Sequence, residues 1–297
     1  MPDRGKKGSC RLLPVIPLTL LSLLAGLAIP ASADAAVRAT YESGDIASGI
    51  SGIGTAGCCT YSLTVDSSLA RTGSNSVRSD VKYGDTAADG PRAESDAEDV
   101  TAARFTSGET FWYGFSVYIP STWQADTTED ILFQWHHTKS SCDDPGRSPS
   151  MFLEVLPATS TAVSKLRLRV NSDPVLCDYQ SHASASLSKT SYDLSTLTTG
   201  AWHDFVFQVD WQYTQTGSIK AWHQTGKAPG WTQVLDAENV ADTYNDASIT
   251  YGYLKWGIYK PSWRDAATDV GERVVWHDNV AVAADSADGF DDVDPTS

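Results

Sequence analysis

Positive charge is scarce in this chain. Across 297 residues, 22 lysines and arginines stand against 37 aspartates and glutamates, a formal net charge of −15. A surface of that sign repels nucleic acid and anionic membranes, so neither is an expected partner. It also repels a polyanion at long range, so a polyanion site here has to be a local basic groove. Long apolar runs are missing too, except near the start. There Arg4, Lys6, Lys7 and Arg11 precede an apolar stretch from Leu12 to Leu27, and Ala31-Ser32-Ala33 fits a small-residue cleavage site. Residues 1–33 read as a secretory leader cut after Ala33, with Ala35 as the alternative, and nothing later is apolar and long enough to span a bilayer. The expected product is a soluble, exported, extracellular protein. Losing the leader's four basic residues and Asp3 leaves 18 cationic side chains against 36 anionic ones.

Cysteine is sparse as well, five in all, and Cys10 leaves with the leader. Cys58, Cys59, Cys142 and Cys177 remain, an even number that agrees with export and allows three pairings. A bridge between neighbours is strained, so Cys58 and Cys59 can bond separately to Cys142 and Cys177. The rival is a 58–59 bridge beside Cys142 paired with Cys177. No Cys-x-x-Cys or nearby His completes a tetrahedral zinc set. Pro- or Ser-rich linkers, internal repeats and helical periodicity are also lacking. The roughly 264 residues left after the leader therefore read as one all-β domain over 34–283. The Asp-rich end, 284–297, reads as a solvated, disordered tail.

What is present is strand signal with turn punctuation. Phe111 to Ile119 is aromatic and β-branched and stops at Pro120. Lys165 to Val170 alternates Leu166, Leu168 and Val170 with Lys165, Arg167 and Arg169. Phe205 to Trp211 puts bulky apolar residues at its odd positions, Ser218 to His223 follows a turn at Gly217, and Arg273 to Val282 closes the series. The expected architecture is a β-jelly-roll sandwich, concanavalin-like, with a concave groove on one sheet.

The chain is organised around Tyr253-Leu254-Lys255-Trp256-Gly257-Ile258-Tyr259-Lys260. In a strand, successive side chains point to opposite faces. Leu254, Trp256 and Ile258 then seek a core, while Tyr253, Lys255, Gly257 and Tyr259 form a face with two phenols, an ammonium and a gap where a ligand can approach the backbone. In Ile131 to His136 the same alternation separates Gln134 and His136 from Phe133 and Trp135. His137 falls opposite His136, so the two cannot chelate one metal from a regular strand. Arg92 and Glu94 share a face after the turn-like Asp89-Gly90-Pro91.

Arg-x-Glu, then Gln-x-His, then Tyr-x-Lys-x-Gly-x-Tyr, in that order and on strands, resembles the jelly-roll polysaccharide lyases: the alginate, glucuronan and heparin-lyase-like groups. The segments 111–120 and 200–205 add to the likeness, which runs from about Tyr41 to Val282 and is nearer the glucuronan and heparin-lyase-like groups. Where alginate lyases continue Arg-x-Glu with a hydrophobic residue and another Arg, this chain has Ser95 and Asp96. Where they follow the last Tyr with Asn-Gln, it has Lys260-Pro261. Both departures rank alginate below other uronans.

The residue types suit β-elimination in a 4-linked uronic acid. Arg92 and Gln134 can bind the carboxylate and stabilise the developing enolate. His136 or a Tyr259 phenolate would take the C5 proton, and Tyr259 would protonate O4. Lys255 and Tyr253 are substrate-binding candidates. Glu94 would hold Arg92 in place, and Arg167 and Arg169 would line subsites, unless they form only an exposed basic strand edge. The expected partner is an acidic polysaccharide, bound by a monomer, with no cofactor in the chemistry. A structural Ca²⁺ is expected between Glu42, Asp45 and Asp278, because jelly rolls bring their ends together. Two rival readings compete. Glu94, Asp96 and Glu98 reproduce the Glu-x-Asp-x-Glu spacing of laminarinase-type glycoside hydrolases, and exposed Trp and Tyr residues would suffice for a non-catalytic carbohydrate-binding module.

Overall fold

Alternation along the strands builds two sheets that share one core. The computed structural model describes residues 37–86, 90–138, 148–157, 164–176, 186–226, 230–245, 250–285 and 288–297. The leader and both Cys142 and Cys177 lie outside the described residues.

The first sheet has eight strands: β1 (Val37–Ala39), β3 (Leu63–Asp66), β4 (Ser76–Lys82), β6 (Thr110–Ile119), β11 (Ala201–Asp210), β12 (Gly217–Thr225), β13 (Thr232–Val240) and β15 (Glu272–Ala284). They run in the order β13-β12-β11-β6-β15-β4-β3, with β1 also on β15. The second has seven: β2 (Gly54–Ala56), β5 (Arg92–Asp96), β7 (Asp130–His137), β8 (Met151–Leu156), β9 (Lys165–Ser172), β10 (Ser188–Thr196) and β14 (Gly252–Tyr259), in the order β10-β9-β8-β7-β14-β5-β2. Every strand pairing in both sheets is antiparallel. The result is a β-sandwich of jelly-roll type, as the strand pattern implies, with the described residues forming one compact unit.

Aromatic side chains from the facing strands fill the space between the sheets. Phe115 of β6 stacks on Phe133 of β7 with ring centroids 4.0 Å apart, and Trp135 meets Phe207 of β11 edge-on at 5.1 Å. Buried indoles need hydrogen-bond acceptors. Trp256 Nε1 donates to the Tyr41 hydroxyl at 2.6 Å, and Trp211 Nε1 donates to that of Tyr113 at 2.9 Å.

Gly257 is a structural glycine. Its φ is +144°, and a Cβ there would collide with the Ala93 carbonyl oxygen and lie 2.8 Å from the Cα of Glu94. The gap read as room for a ligand is thus occupied by the backbone of β5. Strain and overlap add at this position, so Gly257→Ala should destabilise the fold by about 3 kcal/mol or more. A chemical denaturation midpoint within error of the wild type would contradict this.

The acidic tail also departs from expectation. Gly289–Val293 forms a short helix, α1, and Val293 is fully buried in an apolar cluster with Trp112, Val206, Ala281 and Ala283 on the outer face of the eight-stranded sheet. Arg38 donates to the carbonyls of Asp292 and Asp294, and Asn279 Nδ2 donates to that of Pro295. A Cβ on Gly114 would collide with the Val293 carbonyl, so the tail backbone lies directly on β6. Phe290 and Val293 supply the apolar anchors that the aspartates around them obscure.

Candidate active site

Strand β14 lies between β5 and β7, and its register assembles the polar face. Tyr259 pairs with Arg92, Gly257 with Glu94 and Lys255 with Asp96 on one side; Lys255 pairs with Gln134 and Tyr253 with His136 on the other. Directly paired residues share a face. Arg92, Glu94, Gln134, His136, Tyr253, Lys255 and Tyr259 therefore all project from the outer face of the seven-stranded sheet. Phe133, Trp135, Leu254, Trp256 and Ile258 fill the core behind them.

The side chains touch in sequence. Arg92 carries its guanidinium 4.1 Å from the centre of the Tyr259 ring and meets Glu94 at 3.3 Å. The other Glu94 oxygen accepts a hydrogen bond from Gln134 Nε2. Glu94 is 1 % exposed, so its carboxylate is a buried anchor that fixes both donors. Two residues beyond Gln134, the His136 ring lies 5.4 Å from that of Tyr253. His136 Nδ1 is held by the main chain of His137, which leaves Nε2 available to a substrate. Burial, with the Lys255 ammonium adding to it, pushes the His136 imidazole down to about 3, so the ring is neutral at ordinary pH. His137 points the other way, against Phe105, with Nε2 bound to the hydroxyls of Ser150 and Thr243.

Two phenols mark the ends of this row, in contrasting settings. Burial raises the Tyr253 pKa above its usual value, and the charges of Glu98, Asp96 and Glu94 raise it further. Around Tyr259 the neighbours are cationic: Arg92 at 4.1 Å and, missed in the sequence, Arg264 at 5.7 Å. Among the described residues no ring contact or hydrogen bond joins His136 to Tyr259; the phenol beside His136 is that of Tyr253.

Other expected positions fare differently. Arg167 and Arg169 reach the same outer face but are half-buried and converge on Glu154: Arg167 Nε is 2.6 Å and Arg169 3.5 Å from its Oε1. They are not an exposed edge, because β10 covers β9. The hydrolase-like row does not form along one strand, since β5 ends at Asp96 and Glu98 lies beyond it. The calcium set does not assemble either. Glu42 accepts from the backbone N–H groups of Ser74 and Asn75, and Asp45 from that of Gly49. The buried Asp278 accepts from those of Arg71, Thr72 and Asn279. Among the described residues, Cys58, Cys59 and Asp85 are the one ligand-like trio, and its two cysteines are bonded to each other. The chain ends do meet, Val37 pairing with Val282, and the Glu42 charge adds to the burial that raises the Asp278 carboxyl to about 7, while all three carboxylates accept from backbone donors.

Comparison with known proteins follows the same outline. The family model described as polysaccharide lyase matches residues 41–281. No curated protein sequence matches the chain. Among solved structures, the endo-β-1,4-glucuronan lyase from the fungus Trichoderma reesei superposes with a TM-score of 0.65 at 24% identity, over 83% of this chain and 95% of its own. The marine alginate lyase from Aplysia kurodai does so with a TM-score of 0.53 at 11% identity, over 85% and 98%. At such identities the structural likeness speaks for the fold.

Proposed function

The chain belongs to the polysaccharide lyase family, and from that premise we propose that it is a secreted enzyme that cleaves a 4-linked polyuronate, glucuronan in the first place, on the outer face of the seven-stranded sheet. The observation that carries this reading is the contact series from Tyr259 through Arg92, Glu94 and Gln134 towards His136. It places donors for a carboxylate beside groups that can move a proton.

The elimination needs three events. The uronate carboxylate is neutralised so that the C5 proton becomes acidic, that proton leaves, and the C4–O4 bond breaks as C4=C5 forms and O4 gains a proton. Arg92 has donors beyond the one that meets Glu94, since a guanidinium carries five. Together with Gln134 it would face the carboxylate, and Glu94 would keep both from moving as charge develops. In a 4-linked β-D-glucuronate, H5 and O4 lie on the same side of the ring, so a single residue can take one proton and give back the other. Tyr259 is the better candidate, because negative charge developing beside it meets the Arg92 guanidinium 4.1 Å from its ring, whereas beside Tyr253 it meets carboxylates. Neutral His136 would then hydrogen-bond the carboxylate or the ring through Nε2.

The test is a product screen by ultraviolet absorbance of the unsaturated uronate, over glucuronan, alginate, heparin-type chains and pectate. Strongest absorbance on glucuronan is expected. New reducing ends without absorbance would indicate hydrolysis, and neither signal would indicate binding alone; each would defeat the reading.

A further inference from the structure

Beyond the residues that act on the cleaved sugar, we infer that Arg264 binds the carboxylate of a neighbouring uronate, one subsite from the scissile bond; this rests on the polyuronate reading above. Arg264 ends the 3-10 turn Pro261–Arg264 that directly follows β14. Its guanidinium lies 5.7 Å from the centre of the Tyr259 ring, and its Nε stands where a Cβ on Gly90 would collide with it. Contact with an aromatic ring and with a glycine backbone orients a planar cation without neutralising it.

The two arginines at Tyr259 differ in their charge balance. Arg92 is 6 % exposed and paired with Glu94, so its charge is offset within the protein. Arg264 is exposed, and among the described residues no carboxylate pairs with it. In a chain with 37 acidic side chains against 22 basic ones, an exposed arginine without an acidic partner beside the proposed acid is an unusual placement. An anion brought by the substrate would supply the missing partner.

The turn that carries Arg264 is firmly seated. Trp263 is buried and donates from Nε1 to Thr268 Oγ1 at 2.9 Å, and the Ser262 hydroxyl bonds that of Thr128 at 2.7 Å. The preceding Lys260 is fully buried in an ion cluster. Little ordering of the turn is left to offset when a carboxylate arrives, which favours binding by preorganisation. Arg264 lies in the turn beyond the Tyr259 end of β14, whereas Gln134 and His136 pair with Lys255 and Tyr253 further back along the strand, so its anion belongs to a neighbouring sugar.

The experiment measures steady-state kinetics on the cleaved uronan. Arg264→Ala should raise KM about tenfold while kcat stays within about twofold, and Arg264→Lys should recover part of the loss. Lys220→Ala removes a cation from β12 in the other sheet and should leave KM unmoved, which separates local binding from overall charge. A second arm titrates oligouronates, native and with carboxyl groups reduced to hydroxymethyl, into Tyr259→Phe with and without Arg264→Ala. The added substitution should weaken the native ligand only. An unmoved KM, a fall in kcat alone, or equal weakening for both ligands would overturn the inference. Failure of the wild type to cleave any uronan would count against the functional reading, whereas loss of the distinction between native and reduced ligand counts against Arg264 alone.

Discussion

Tyr259→Phe is expected to lower kcat on a cleaved uronan by about a thousandfold, with KM changed by less than about threefold. The substitution keeps the ring that Arg92 stacks on at 4.1 Å, so the guanidinium and its link to Glu94 should stay in place. Only the phenol oxygen is lost, and with it the group that, as phenolate, takes the C5 proton and delivers it to O4. An interaction made mainly in the transition state shows in kcat more than in KM. The control is Tyr253→Phe, whose phenol is buried beside His136 and raised in pKa by burial and by nearby carboxylates. It should cost far less, about tenfold. If the two results are exchanged, the acid is Tyr253 and the reacting sugar sits at the His136 end.

The second large effect concerns stability. Lys260→Met should destabilise the fold by about 3–5 kcal/mol, because it removes one cation from a buried group of four charges. Lys260 Nζ lies 2.9 Å from Asp126 and 3.1 Å from Asp130, and it donates to the carbonyls of Thr128 and Glu129. Arg273 completes the set, 2.9 Å from Asp130, with its guanidinium 4.3 Å from the Trp123 ring centre. Two cations balance two carboxylates. Without Lys260, both carboxylates remain in a site where burial already raises the Asp130 pKa, with one cation between them. A drop in melting temperature of about 10 °C is the expected reading. A drop under about 3 °C would show that Arg273 alone balances the pair. Lys260-Pro261, seen in the sequence as a departure from the alginate pattern, thus has a structural role at the foot of Tyr259.

The two faces of β5, β7 and β14 were legible because alternation is a local property. Once Trp256 and Trp135 must be inside, Lys255 and Gln134 must be outside. What eluded the sequence depends on a second element. Arg167 and Arg169 could be an edge only if nothing paired with β9, and β10 is hard to read because Ser188, Lys189, Thr190 and Ser191 are polar on both faces. Gly257 carried a real signal of close approach, but the approaching backbone is that of β5, which no spacing rule reveals. Glu42, Asp45 and Asp278 were grouped because the chain ends meet, yet which donor takes each oxygen is decided by loops with no periodicity. Arg264 follows a strand in a proline-led turn, where neither alternation nor helical spacing indicates which side chain reaches Tyr259.

The seat of the tail has a practical corollary for attachment. Helix α1 rests on the outer face of the eight-stranded sheet, while the residues proposed for cleavage project from the outer face of the seven-stranded one. A spacer joined after Ser297 therefore departs from the side of the sandwich opposite the proposed site. A molecule tethered there to a bead or a cell wall would present its seven-stranded sheet outward, with no change to the loops around Tyr259.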